Sequence, residues 1–308
     1  MRPQDPKHAS SDRLRRASRA GILVLALVAT GGLIALASQQ GDETADSVSA
    51  DGAVSGALYK ALGFRLDEFA DGGGTVPRIF LPAFPDHMTE LPSGPERKAV
   101  FLATMLPHVL KVNEVIAADR NRLLDLKAKF ARGGKPTPGE TAWLDAIASH
   151  YGLADAKMPR DMDRLLLRVQ VIPPSLALTQ AAIESGWGGS RFATEGNAAF
   201  GQRTWDGDGI MPARRRPGAT HRVRDFDHLF ESVASYMHNL NTHPAYEEMR
   251  RARAALVAAG KPLTGAALAP ALENYSERRA AYVADVLQIM TENRLGRADS
   301  LSLAYAAR

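Results

Sequence analysis

The sequence contains no cysteine, which excludes disulfides, thiolate catalysis and cysteine-ligated metals. The compartment stays open on that count, since an exported protein can also lack disulfides. No HExxH, paired-histidine ligand spacing or Asp-rich calcium loop occurs, so no metal is implied. A P-loop, a GxGxxG fingerprint and a GxSxG elbow are missing too. None of the eight histidines stands with a serine or aspartate in a nucleophile motif. No cofactor is therefore expected. RNP-like, zinc-finger and interleaved aromatic–basic segments are also missing, so nucleic acid is not an expected partner. Arg214-Arg215-Arg216 reads as a solvated loop. The net charge of +4 is mild, and the pI near 9.4 suits an anionic polymer or surface. No internal repeat is present.

The N-terminus is informative. Arg13, Arg15, Arg16 and Arg19 precede an uncharged apolar run over residues 20–37, about long enough to span a bilayer as a helix. The arginines place that end in the cytoplasm and the remainder beyond the membrane. Ala35-Leu36-Ala37 also fits a signal-peptidase site. Either an inner-membrane anchor facing the periplasm or export to the periplasm after cleavage follows, and the length of the run favours the anchor. The chain then divides into a signal-anchor or signal peptide (1–37) and a flexible linker (38–75) rich in Ala, Ser, Asp and Gly. An extended strap with N-terminal helices (76–170) comes next, packing on a catalytic domain (171–308).

Five prolines make residues 76–95 look extended. Ser93-Gly94-Pro95-Glu96 then reads as a capping box. Phe101, Met105, Val109, Val112, Ile116, Leu123, Leu126 and Phe130 recur mostly at helical steps, with Pro107 expected to kink or divide that helix. Thr137-Pro138-Gly139-Glu140 opens a second helix to about Tyr151. Further helices are expected at 161–169, 174–185, 228–242, 246–259, 263–272 and 277–293, the last capped by Ser276. Between Asn197 and Asp227 the helical period disappears. Glycines punctuate short β-branched or aromatic pieces there, which suggests a loop or a small β-hairpin. The fold class is thus mainly α, with a small glycine-rich lobe after residue 185 and a cleft beside it.

The chemistry concentrates in Ala181-Ala182-Ile183-Glu184-Ser185-Gly186-Trp187-Gly188. One carboxylate stands near the end of an apolar helix, before a glycine-rich turn carrying a tryptophan. Losing water on one side, such a carboxyl keeps its proton toward neutral pH, as a general acid must. The plain alternative is a solvated glutamate at a helix end. Trp187 could floor a sugar subsite or pin the helix end to the core. Asn239, Asn241 and His243 read as a structural hydrogen-bond network.

Ile172-Pro173-Pro174-Ser175-Leu176-Ala177-Leu178-Thr179-Gln180, continuing through Glu184-Ser185-Gly186-Trp187-Gly188, resembles the bacterial peptidoglycan endo-β-N-acetylglucosaminidases. Asn197-Ala198-Ala199-Phe200-Gly201, His221-Arg222-Val223-Arg224-Asp225-Phe226 and Tyr275-Ser276 follow in the same order. Asn239-Leu240-Asn241-Thr242-His243-Pro244-Ala245-Tyr246 and Pro92-Ser93-Gly94-Pro95-Glu96-Arg97 are similar to segments of the Bax-type proteins of Gram-negative bacteria. The resemblance covers about residues 92–295 and implies a lysozyme-like fold acting on peptidoglycan glycan strands. It places Glu184 as the general acid on the glycosidic oxygen and Tyr275 facing the scissile bond. It further implies that Phe200, Gly201 and Gln202 form a strand edge binding acetamido groups, with Gly201 allowing close backbone approach. Tyr282 is expected to pack into the core.

A second carboxylate is not evident: Asp206, Asp208, Asp225 and Asp227 are available, each reading first as a turn or cap residue, with Asp227 expected to cap the following helix. An N-acetyl sugar can supply its own nucleophile instead, through the 2-acetamido oxygen. Alternatively, a lobe carboxylate could reach the site when substrate closes the cleft. Two other readings compete with the hydrolase. One is a lytic transglycosylase using the same glutamate, which Phe200-Gly201-Gln202 argues against. The other is a non-catalytic wall-binding module.

Overall fold

The computed structural model describes residues 74–205, 209–212 and 220–305. The expected anchor (1–37) and most of the expected linker lie outside them, as do Asp206, Asp208 and the arginine run 214–216. The described chain is mainly helical. In order it forms β1 (Gly74–Val76), α1 (Pro95–Ala131), α2 (Pro138–His150), α3 (Met162–Arg168), α4 (Pro174–Ser185) and α5 (Arg191–Gly196). There follow β2 (Arg203–Thr204), β3 (Arg222–Val223), α6 (Leu229–Thr242), α7 (Glu247–Ala258), α8 (Gly265–Leu268), α9 (Ala280–Glu292) and β4 (Leu301–Leu303). Short 3-10 turns occupy Pro244–Tyr246, Ala269–Tyr275 and Leu295–Ser300.

The axis of the fold is α1. Val100 through Leu110 are all buried, so this stretch is enclosed all round and α4 and α6 pack against it. Contrary to expectation, Pro107 neither divides the helix nor ends it. Losing one ladder bond costs about 3 kcal/mol, and burial of the residues on both sides offsets it. The expected capping box at Ser93 is also absent. Gly94 is the N-cap with no side-chain bond, and Ser93 accepts instead from Arg97. Thr137, by contrast, makes a full capping box with Glu140. Among the described residues α1 is the helix long and apolar enough to cross a membrane, but it is a core helix.

Residues 74–94 form a strap that closes over this core. β1 pairs in parallel with β4, Gly74 opposite Leu301 and Val76 opposite Leu303, so the end of the expected linker is a strand. Arg78 grips both oxygens of Glu114 at 3.0 and 2.6 Å and donates to the Ala304 carbonyl. The His108 ring bonds the Leu81 carbonyl at 2.8 Å, and Leu229 N–H donates to Pro82.

The loop into α4 is held by side chains from three other elements. Arg120 donates to the carbonyls of Leu166 and Val169, and Arg253 to those of Leu167, Gln170 and Val171. Asn241 donates to Gln170, and Asn113 exchanges two bonds with Ile172. The expected structural role of Asn241 is met here. His243 is structural too, accepting from Ala245 N–H at the next turn.

Several boundaries differ from expectation. The 263–272 helix is only α8 followed by a 3-10 turn. α9 starts at Ala280 after Arg279 in a left-handed conformation (φ 45°), not at a Ser276 cap. Asp227 does not cap α6; His228 is the N-cap, and Asp227 N–H donates to Glu231. Where a hairpin is expected, Arg203 pairs with Val223 and Thr204 with Arg222, and Ile210 bridges to Val223. Residues 206–208 and 213–219 between these pieces lie outside the described residues.

Candidate active site

The helix bearing Glu184 begins deep in the core and ends at the surface. Ser175 through Ala182 are buried, Ile183 half-buried and Glu184 exposed. Pro174 suits the first turn, but Pro173 offers no cap. Asp299 supplies it from the far end of the fold, accepting from Ser175 N–H and Oγ–H at 2.8 and 2.7 Å. Gly265 N–H also donates to Asp299, and a Cβ at Gly265 would lie 2.2 Å from Ser175 Oγ. At the other end Gly186 adopts φ +59°, closing α4 in the left-handed manner. Trp187 and Gly188 continue with φ +59° and +75°. For a tryptophan this costs about 1–2 kcal/mol. Ser185 holds the turn, donating to Ala181 O at 2.6 Å and accepting from Gly188 N–H at 2.8 Å. A Cβ on Gly188 would lie within 3.0 Å of Met88 and Phe84 of the strap.

Four phenols face Glu184: Tyr236 on α6, Tyr246, Tyr275, and Tyr282 on α9. Tyr282 donates to Glu184 Oε1 at 3.3 Å, long for a hydroxyl bond but within the slack that unliganded sites often have. Gln180, one turn before Glu184, donates through Nε2 to Tyr282 Oη at 3.0 Å. Tyr236 in turn donates to Gln180 Oε1 at 2.5 Å. Tyr275 stacks on Tyr282 (5.3 Å between centroids, 16° between planes) and leans on Tyr246 at 5.9 Å. Among the described residues the Tyr275 hydroxyl makes no hydrogen bond.

Water reaches Glu184, yet the surrounding rings strip enough of it to raise the carboxyl above its ordinary pKa; the Tyr282 hydrogen bond works the other way. Burial likewise raises all four phenols, so each stays a neutral donor. The groups acting on Glu184 include no second carboxylate among the described residues, and no cluster there could hold a metal.

The remaining expected residues separate. Phe200 is 3% exposed and stacks on Tyr236 at 3.9 Å, so its side chain supports the tyrosines from inside and cannot touch a substrate. Nor do residues 200–202 form a strand edge: the strand starts at Arg203. Gly201 has φ +58° and open space where a Cβ would stand. Gln202 is half-buried, donates to Ser235 at 3.1 Å and keeps Oε1 unpartnered among the described residues. Trp187 sits edge-on to Phe101 at 5.4 Å with Lys98 Nζ 4.9 Å above its ring. It is engaged with α1 and not with the tyrosines. Sequence reading did not give Tyr282, Gln180 and Tyr236 a place at the site. The available signal was spacing: Gln180 and Glu184 are four apart on one helix face.

Residues 162–295 match the family model described as mannosyl-glycoprotein endo-beta-N-acetylglucosaminidase, the Glucosaminidase family. The curated protein named Protein bax, from Escherichia coli strain K12, is 36% identical over 202 residues. That match covers 65% of this chain and 70% of the relative. No solved structure matches significantly.

Proposed function

The chain belongs to the Bax-type family of glucosaminidase-domain proteins, and from that premise we propose that it hydrolyses peptidoglycan in the cell envelope. The bond cleaved is the β-1,4 linkage between N-acetylglucosamine and N-acetylmuramic acid, with Glu184 as general acid. The observation that carries this reading is a solvent-reached carboxyl whose pKa is raised by loss of water and whose Oε1 is held by Tyr282.

The steps follow from these groups. Glu184 gives its proton to the glycosidic oxygen as the C1–O bond breaks and the bonding pair leaves with that oxygen. Positive charge growing at C1 needs a partner. We infer that the 2-acetamido oxygen of the sugar is the nucleophile, an allowed route for N-acetyl sugars; a lobe carboxylate is the alternative, with Asp206 and Asp208 outside the described residues. The Tyr275 hydroxyl, without a partner among the described residues, orients that acetamido group. Glu184, now a carboxylate, takes a proton from the water that opens the cyclic intermediate. Gly201 receives the flanking sugar through close backbone approach, and Gln202 supports it from behind through its bond to Ser235. Trp187 bears on the cleft by fixing the turn after Glu184. Residues 1–37 take the enzyme to the far side of the membrane, either as a retained anchor or as a cleaved signal.

A lytic transglycosylase would also work with one carboxylate, so the product must decide. Purified peptidoglycan is digested with the protein and with Glu184→Gln, then borohydride-reduced and weighed by mass spectrometry. Reduced N-acetylglucosamine ends are expected, at a rate about 10³-fold lower for the variant. Anhydro-muramyl ends would replace the hydrolase with a transglycosylase, and wall binding without release would replace both with a binding module.

A further inference from the structure

The hydrogen-bond chain behind Glu184 has a direction, and the direction determines where a proton sits. At its buried end Tyr236 is 1% exposed, and its hydroxyl donates to Gln180 Oε1 at 2.5 Å. Turning the Gln180 amide round would leave that buried O–H with no acceptor among the described residues, which costs more than an ordinary hydrogen bond gains. With Oε1 committed to Tyr236, Gln180 presents Nε2 to Tyr282 at 3.0 Å. The Tyr282 oxygen, already accepting, must send its own proton outward, and Glu184 Oε1 stands there at 3.3 Å. A carboxyl oxygen that accepts from Tyr282 cannot at the same time point a proton at it.

We propose that Tyr236, Gln180 and Tyr282 form a polarised positioning relay that confines the Glu184 proton to Oε2, the oxygen with no protein partner among the described residues. The proposal deepens the general-acid reading of Glu184 and rests on it for its catalytic meaning. During reaction the Oε2–H bond breaks, the proton passes to the leaving oxygen, and the negative charge left on the carboxylate meets the Tyr282 hydroxyl already in place. None of the three relay residues touches the reacting atoms. The other phenols facing Glu184, Tyr246 and Tyr275, are neutral and lie outside the chain. A purely structural role for Tyr236 would predict lower stability and nothing else. The relay predicts an effect on a carboxyl two side chains away.

The test is a pH titration of full-length protein carrying 13C at the glutamate side-chain carboxyl, with the Glu184 signal assigned by its loss in Glu184→Gln. Tyr282→Phe removes the donor, so the Glu184 pKa rises. Tyr236→Phe frees Gln180 to turn its oxygen toward Tyr282 and draws that hydroxyl away, so the Glu184 pKa rises again, by about half a pH unit or more. Both variants keep the ring, and a thermal melt confirms the fold. A Tyr236→Phe titration identical to wild type overturns the relay. So does a Glu184 pKa that falls. Titration needs no turnover, so an inactive wild-type protein would sink the hydrolase reading and leave the relay to be judged by its own result. If turnover is seen, kcat is expected to fall about tenfold or more in both variants with KM little changed.

Discussion

Tyr275 separates stability from chemistry at the level of a single atom. Its ring stacks between Tyr246 and Tyr282, while its hydroxyl has no described partner. Tyr275→Phe therefore keeps the stacking and is expected to leave the melting temperature within about 1 °C, a change under about 0.5 kcal/mol. The reaction loses the group that orients the acetamido oxygen, and kcat should drop by about 10²-fold. Parallel melts and muropeptide-release rates check this; a large stability loss with unchanged kcat would return Tyr275 to the core. Part of this site is legible in the sequence. Pro174, the apolar run after it and Gly186 mark a helix that delivers Glu184 to an exit, because caps and breakers are local. Tyr282 is different. Periodicity puts it on the buried face of its helix, correctly, but says nothing of which polar group its hydroxyl meets there. Phe200 fails for the same reason: its neighbours are a motif, while its ring packs on Tyr236, thirty-six residues downstream in the chain.

Among the elements, α1 carries two oppositely tuned groups. His108, 2% exposed, donates one ring nitrogen to Leu81 while Nδ1 has no described partner; burial chiefly holds its pKa down to about 4. Its neutral form is the folded form, so its contribution is complete above the ordinary pKa of 6.5 and is lost as pH falls toward 4, by about 3 kcal/mol. Asp119, three turns on, is raised to about 6 by burial. Its folded form is protonated, so its contribution is complete below 3.8 and is lost as pH rises through 6. Between pH 6 and 4 the two slopes oppose one another. Urea unfolding across that window should show His108→Gln gaining stability as pH falls and Asp119→Asn losing it, with wild type flatter than either. Parallel slopes in both variants would refute the pairing. α1 also shows why element boundaries are only half legible. The capping box at Thr137 is local and reads correctly, whereas Pro107 is overridden by burial contributed by α4 and α6. The Asp299 cap on α4 is tertiary and leaves no local trace.

For the whole molecule, strap, helices and C-terminal strand share one continuous core that runs from Val76 to Leu303. Leu301 and Leu303 are buried while Ser302 is exposed, as expected for a strand covered on one face. Leu303→Asp places a charge there and should cost about 3 kcal/mol or more. Because the strap also holds Phe84 and Met88 against Gly188, the loss should extend to the turn after Glu184. Chemical denaturation together with hydrogen exchange at residues 186–190 reads both. Unchanged protection at that turn would show the strap and the site to be independent.

The parallel pairing of β1 with β4 also sets an order of events. Synthesis proceeds from the N-terminus, yet Arg78 reaches its partner at Ala304, 226 residues later. β1 has no strand to pair with until residues 301–303 have emerged, although the rest of the strap finds Glu114, His108 and Leu229 earlier, and the Asp299 cap on α4 waits for nearly as long. Long-range closure of this kind is slow. A nascent chain of this fold is thus left without its β1–β4 latch, and α4 without its distant cap, until residues 299–304 have left the ribosome.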